Sequence, residues 1–176
     1  MKKLVYRADD IGYTLAFDLG AFKAIDEGIV TSADVMLDSP HTVEALEWLK
    51  DRPWISVGWH RHLWESPVLP PEEVPHMVDS EGRFKWRHRH QELMAEVPYE
   101  EAYREFAAEV DRCIQILGRA PDTTIFLMGT GNSLEQAFID ICDEYGIAYD
   151  YCEASISNVA PKREVKPEYK ALNFKS

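Results

Sequence analysis

The order of signals along the chain predicts an α/β fold with a parallel sheet. Three observations carry this. Short stretches rich in β-branched and aromatic residues alternate with stretches whose apolar residues recur every three or four positions. The alternation runs from residue 4 to residue 151 without an internal repeat or a low-complexity tract. The chain has 176 residues, 45% of them hydrophobic, which suits one domain with its own core. Right-handed crossovers can arrange such units as an open doubly wound sheet or as a closed barrel.

The elements follow in order. Leu4 to Ala8 read as a first strand ending at Asp9-Asp10, before a turn with Gly12. Leu15, Leu19, Phe22 and Ile25 mark an amphipathic helix stopped by Gly28. Residues 29–37 form a second strand, and Val43, Leu46 and Leu49 face one side of a helix closed before Pro53. Residues 54–59 form a third strand running into His60. A long segment at about 60–96 then interrupts the alternation, with prolines at 67, 70, 71 and 75; a loop of that length is usually functional. Pro98 opens the strongest helix, with Ala102, Tyr103, Phe106, Val110, Cys113, Ile114 and Leu117 in helical period up to Gly118. Residues 123–128 form a fourth strand. Ser133 and Gln136 have capping-box spacing for a helix through Tyr145, and a fifth strand follows at 147–151. Residues 1–159 are thus expected to be a single (β/α) domain, and residues 160–176 a basic tail.

Charge narrows the partners. The net charge of −12 disfavours a phosphate backbone, so no nucleic acid is expected. No apolar run approaches the ~20 residues of a membrane helix, and the N-terminus lacks the apolar core of a signal peptide. Cys113, Cys142 and Cys152 are odd in number and form no CxxC, which reads as reduced structural thiols. The expectation is a cytoplasmic protein.

In parallel α/β folds reactive residues collect at the C-terminal ends of strands. Asp9 and Asp10 stand at the first such end. Adjacent carboxylates repel, and a divalent cation relieves the repulsion: one ligates it while the other accepts a proton from water. An Asx-type turn capping the next helix is the alternative. His60 and His62 alternate at the third strand end, where both imidazoles would share a face. Trp64 is placed to stack on a sugar ring or to pack under the loop. Arg83, Lys85, Arg87, His88, Arg89 and His90 form a basic run that would cover a polar or acidic substrate, or else be a solvated loop. The stretch 128–133 leads into a helix N-terminus but lacks the P-loop lysine and spacing. GxSxG, HExxH and the Rossmann GxGxxG are all absent.

Several of these segments together resemble the YdjC-like (ChbG/HpnK) carbohydrate deacetylases. The likeness lies in Arg7-Ala8-Asp9-Asp10-Ile11-Gly12, Gly28-Ile29-Val30-Thr31-Ser32 with Met36, Val57-Gly58-Trp59-His60 followed by Ser66-Pro67-Val68, and Ile116-Leu117-Gly118-Arg119-Ala120-Pro121. The resemblance implies a barrel-like (β/α) fold related to polysaccharide deacetylases. It implies hydrolysis of an N-acetyl group on an amino sugar with one divalent metal ion, Zn or Mg. Asp9 would be the general base, and Asp10 and His60 metal ligands.

The chain departs from that pattern in two ways. A later histidine ligand of the family falls at Leu127, which cannot bind a metal, so His62 is the substitute ligand in sequence. Five strands are fewer than a full barrel requires, so the barrel is expected to be incomplete, with an open edge that favours a homodimer or larger assembly. A general acid could be His62, His88 or His90, and Trp64 and Arg87 are the substrate-binding candidates. Two alternatives stand beside the deacetylase: a non-catalytic sugar- or metabolite-binding relative, and a phosphate-ester hydrolase using the 83–90 run.

Overall fold

The computed structural model describes residues 4–88, 97–124 and 132–149, with the side chains of Arg87 and His88 left aside. It contains β1 (Arg7–Ile11), α1 (Leu15–Asp26), β2 (Ser32–Val35), α2 (Thr42–Lys50), β3 (Ser56–Trp59), α3 (Tyr99–Leu117), β4 (Thr123–Thr124) and α4 (Ser133–Tyr145). The four strands are parallel and lie in the order β1-β2-β3-β4. Sequential order with helical crossovers is that of a singly wound sheet, the arrangement from which (β/α) barrels are built. Ala148 bridges Thr123 in parallel, so the chain returns beside β4 where the fifth strand is expected.

The core lies between this sheet and the helices. Ala33, Val35, Val57 and Trp59 are buried on the strands, facing Leu46 and Leu49 of α2 and Phe106 and Val110 of α3. The Trp59 ring packs edge-to-face on Phe106 and tilts against Phe138 of α4. Cys113 and Cys142 are buried free thiols, and burial pushes the Cys113 thiol up to about 12. Among the described residues no helix is long and apolar enough to cross a membrane.

Several boundaries differ from expectation. The first strand starts at Arg7 rather than Leu4, and Asp9-Asp10 lie within it rather than after it. The second and third strands are shorter than expected: Ile29 and Trp54 are exposed, and the ladder begins only at Ser32 and Ser56. Only half of the expected apolar face of α1, Phe22 and Ile25, packs on the core. Asp18 turns inward to accept the Gly12 N–H at 2.7 Å, and Phe22 stacks on Trp48. That orientation leaves Leu15 and Leu19 58% and 59% exposed. The cap of α4 is Asn132, whose side chain accepts the Glu135 N–H, while the Ser133 hydroxyl donates to the Val97 carbonyl. On α3, Pro98 and Gly118 bound the helix as expected, Gly118 in the left-handed conformation. The buried face of α3, however, includes Glu101, Glu105 and Glu109 among the apolar residues.

Gly58 pairs with Asp34 across β2 and β3. A Cβ at Gly58 would meet the Asp34 carboxylate at 2.1 Å and Thr123 Oγ1 at 3.0 Å. The glycine therefore makes room for a buried carboxyl that Arg7 approaches to 3.3 Å. Gly58→Ala is expected to destabilise the fold by about 1–3 kcal/mol through overpacking. A urea midpoint equal to that of the wild type would contradict this.

Candidate metal centre

The backbone of β1 is irregular between Ala8 and Ile11, where the pairing register with β2 shifts. Asp10 sits in this irregularity with φ 59°, a left-handed conformation that Asp tolerates better than most residues. His60 follows β3, held by its N–H to the Val35 carbonyl at 2.8 Å. Its ring is buried, and Nδ1 accepts the Asp10 N–H at 3.1 Å, which fixes the ring against β1. Asp10 Oδ1 lies 3.2 Å from His60 Nδ1 and 3.6 Å from His62 Nε2. One ligand atom from each of Asp10, His60 and His62 falls within 4.8 Å of the others. Burial lowers the His60 pKa more than the Asp10 and Asp9 charges raise it, with Arg7 also lowering it. The ring is thereby favoured in the neutral form that binds cations. Two imidazoles and one carboxylate are a donor set suited to a borderline divalent cation.

His60, His62 and Trp64 form a column of rings. The centroids are 4.0 Å apart for His60 and His62, and 4.2 Å for His62 and Trp64, which are nearly parallel. Tyr13 meets Trp64 edge-on and Phe17 meets Tyr13, so aromatic rings continue from the column to α1. Trp64 thus packs within the site wall. Asp9 lies beside the cluster, its side chain 50% exposed and its Oδ1 2.9 Å from Arg7 Nε. Arg7 also reaches Asp34, whose carboxyl burial pushes up to about 7 despite the nearby guanidinium. Arg87 and His88 close a short 3-10 turn, Lys85–His88; of these two residues only the backbone is described. His90 and Leu127 lie outside the described residues, as does most of the 128–133 stretch.

A set of acidic residues that sequence reasoning did not single out holds the long segment after β3. Asp38 Oδ2 accepts the N–H groups of Trp64 and Glu65 at 2.9 and 3.4 Å. Glu105 accepts those of Val68 and Leu69, and Glu101 that of His76. Glu109 accepts the Trp59 indole N–H at 2.7 Å. The available signal was the spacing of Glu101, Glu105 and Glu109 at successive turns beside an apolar stripe. On α3 that spacing places all three on the buried face. Arg61, half-buried, lies over Phe106 and Phe138, its guanidinium 4.1 Å from the Phe138 ring centroid, with Glu109 and Glu135 nearby.

The sequence model of the YdjC-like protein family matches residues 3–173. A carbohydrate deacetylase of Enterococcus faecalis is 39% identical over 126 residues, covering 69% of this chain and 46% of the relative. One from Brevibacillus brevis is 39% identical over 113 residues, covering 64% of this chain and 44% of the relative. The chain therefore spans about half the length of these relatives. A crystal structure from Enterococcus faecalis V583, described as that of a cellobiose-phosphate cleavage protein, superposes with a TM-score of 0.72 at 29% identity. It covers 97% of this chain and 64% of that one.

The buried carboxyls set a pH dependence. Burial raises Asp38 to about 6 against the pull of its backbone donors. It also raises Glu105 and Glu109, which further repel one another and Asp38. A raised folded-state pKa means the native protein keeps protons that the unfolded chain has released. The stability contributed is complete below the unfolded carboxyl values near pH 4. It is lost as pH rises through the folded values of about 6 for Asp38 and about 7 for Asp34. The urea midpoint is expected to fall from pH 5 to pH 7.5, on the order of 2–4 kcal/mol in stability. A midpoint that is level or rising over that interval would refute the assignment.

Proposed function

The chain belongs to the YdjC-like protein family, and from that premise we propose that it removes an N-acetyl group from an amino sugar or oligosaccharide with the help of one divalent cation. The observation that carries the proposal is the convergence of Asp10, His60 and His62 beside the half-exposed Asp9. Asp10, His60 and His62 would hold the cation, and their nitrogen-rich set favours Zn over Mg. Bound there, the cation supplies a Lewis acid that polarises the acetyl carbonyl and acidifies water.

The remaining work falls to the chain. Asp9, oriented by Arg7, takes a proton from the attacking water. The water oxygen bonds to the acetyl carbon, and the C–N bond breaks as the nitrogen takes the proton that Asp9 accepted, giving a free amine and acetic acid, which ionises to acetate. Burial favours neutral His60, and the Nδ1 lone pair that accepts the Asp10 N–H in the structure is the one it would give to the cation. Trp64, stacked on His62 in the site wall, is the aromatic residue proposed to contact the sugar.

Purified protein with Zn²⁺ is expected to release acetate from acetylated chito-oligosaccharides, and chelation is expected to stop it. No release with Zn²⁺, Mg²⁺, Mn²⁺ or Co²⁺ would overturn the deacetylase reading. Asp10→Ala and His62→Ala should each weaken Zn²⁺ binding by about tenfold or more. Asp9→Asn should keep the cation and lose turnover by about 100-fold or more, because an amide does not accept the proton. Isothermal titration separates the two roles: unchanged affinity in Asp10→Ala would reverse them.

Self-association belongs to the same proposal. β1 is the last strand on its side of the described sheet, and Leu4, Val5, Tyr6, Leu15, Phe17 and Leu19 are exposed around it. Light scattering is expected to show a dimer or larger species at micromolar concentration, and a monomer would count against this part.

A further inference from the structure

We infer that Asp38 is the positioning residue of the segment carrying His62 and Trp64, acting through two backbone hydrogen bonds. The inference rests on the proposed role of His62 at the cation site. Successive side chains on one face of a regular strand stand roughly 6–7 Å apart. The rings of His62 and Trp64 are 4.2 Å apart, so the backbone between them is not a regular strand. Leu63 supplies the difference. It is buried and has φ 60°, the left-handed conformation, which costs a branched side chain about 1–2 kcal/mol. Such a conformation persists only where its surroundings hold it.

Asp38 is what holds it on the C-terminal side. The residue is 5% exposed, and one oxygen accepts the N–H groups of Trp64 and Glu65 directly after Leu63. These successive donors fix the direction of the chain as it leaves the strained residue. His60 anchors the N-terminal side through Val35 and Asp10. Between the two anchors, Leu63 has one conformation open to it, and His62 is aimed at Asp10. Without the Asp38 acceptor, two partly buried N–H groups lose their partner and the left-handed turn loses its support.

Three measurements on the full chain test this. In the wild type, the Trp64 and Glu65 amides should exchange with solvent as slowly as those of β3; exchange at the rate of an unstructured peptide overturns the inference. Asp38→Ala should speed exchange at those two amides and weaken Zn²⁺ binding by about 10- to 100-fold. Asp38→Asn, which keeps an oxygen acceptor of the same reach, should restore both to within about threefold of wild type. An effect of the carboxylate charge alone would not be rescued by a neutral amide acceptor. Wild-type affinity in Asp38→Ala, or an Asp38→Asn variant as impaired as Asp38→Ala, overturns it. Where Asp38→Ala does not fold, wild-type exchange and Asp38→Asn decide. Absence of acetate release from the wild type overturns only the deacetylase reading, because exchange and Zn²⁺ titration do not depend on it.

Discussion

The described segment that follows β3, residues 60–88, carries many backbone N–H groups outside the parallel sheet. Each buried N–H must find an acceptor. Here Asp38, Glu105 and Glu101 accept five of them, from Trp64 to His76. The acids are buried and therefore costly, and the raised proton affinities of Asp38 and Glu105 record that cost. The irregular segment is in turn held over the strand ends. Everything at the site follows from that seating: the direction of His62, the stack on Trp64 and the distance to Asp10.

The cluster itself joins two strand ends through backbone irregularity. Asp10, a member of the cluster, and Leu63, next to His62, are the positive-φ non-glycine residues among those described. The Asp10 N–H is spent on His60, so the same residue orients one ligand and offers another. Gly58 serves the same end from beneath, by leaving space for Asp34 and the Arg7 that orients Asp9. Strain and close packing at a strand end are common where chemistry is carried out.

Membership of the YdjC-like family and the likeness to carbohydrate deacetylases agree with this placement of residues at strand ends. The parallel sheet in sequential order agrees with the superposed crystal structure. In the described cluster His62 lies 3.6 Å from Asp10.

Much was legible from sequence because it depends on local chemistry. Alternation of periods determined the parallel α/β class, Pro98 and Gly118 bounded α3, and His60-x-His62 followed the end of β3, while Asp9-Asp10 fell inside β1. These signals are local: backbone conformational preference and side-chain spacing act within a few residues. The orientation of α1 was not legible, because an inward hydrogen bond from Asp18 outweighed the apolar spacing of Leu15 and Leu19. Nor were the buried roles of Asp38, Glu105 and Glu109. A glutamate on a helix looks solvated until the partners it accepts from are known, and those lie 26 to 50 residues away in the chain. Only the tertiary structure brings those donors to the acids, and with them it decides where His62 points.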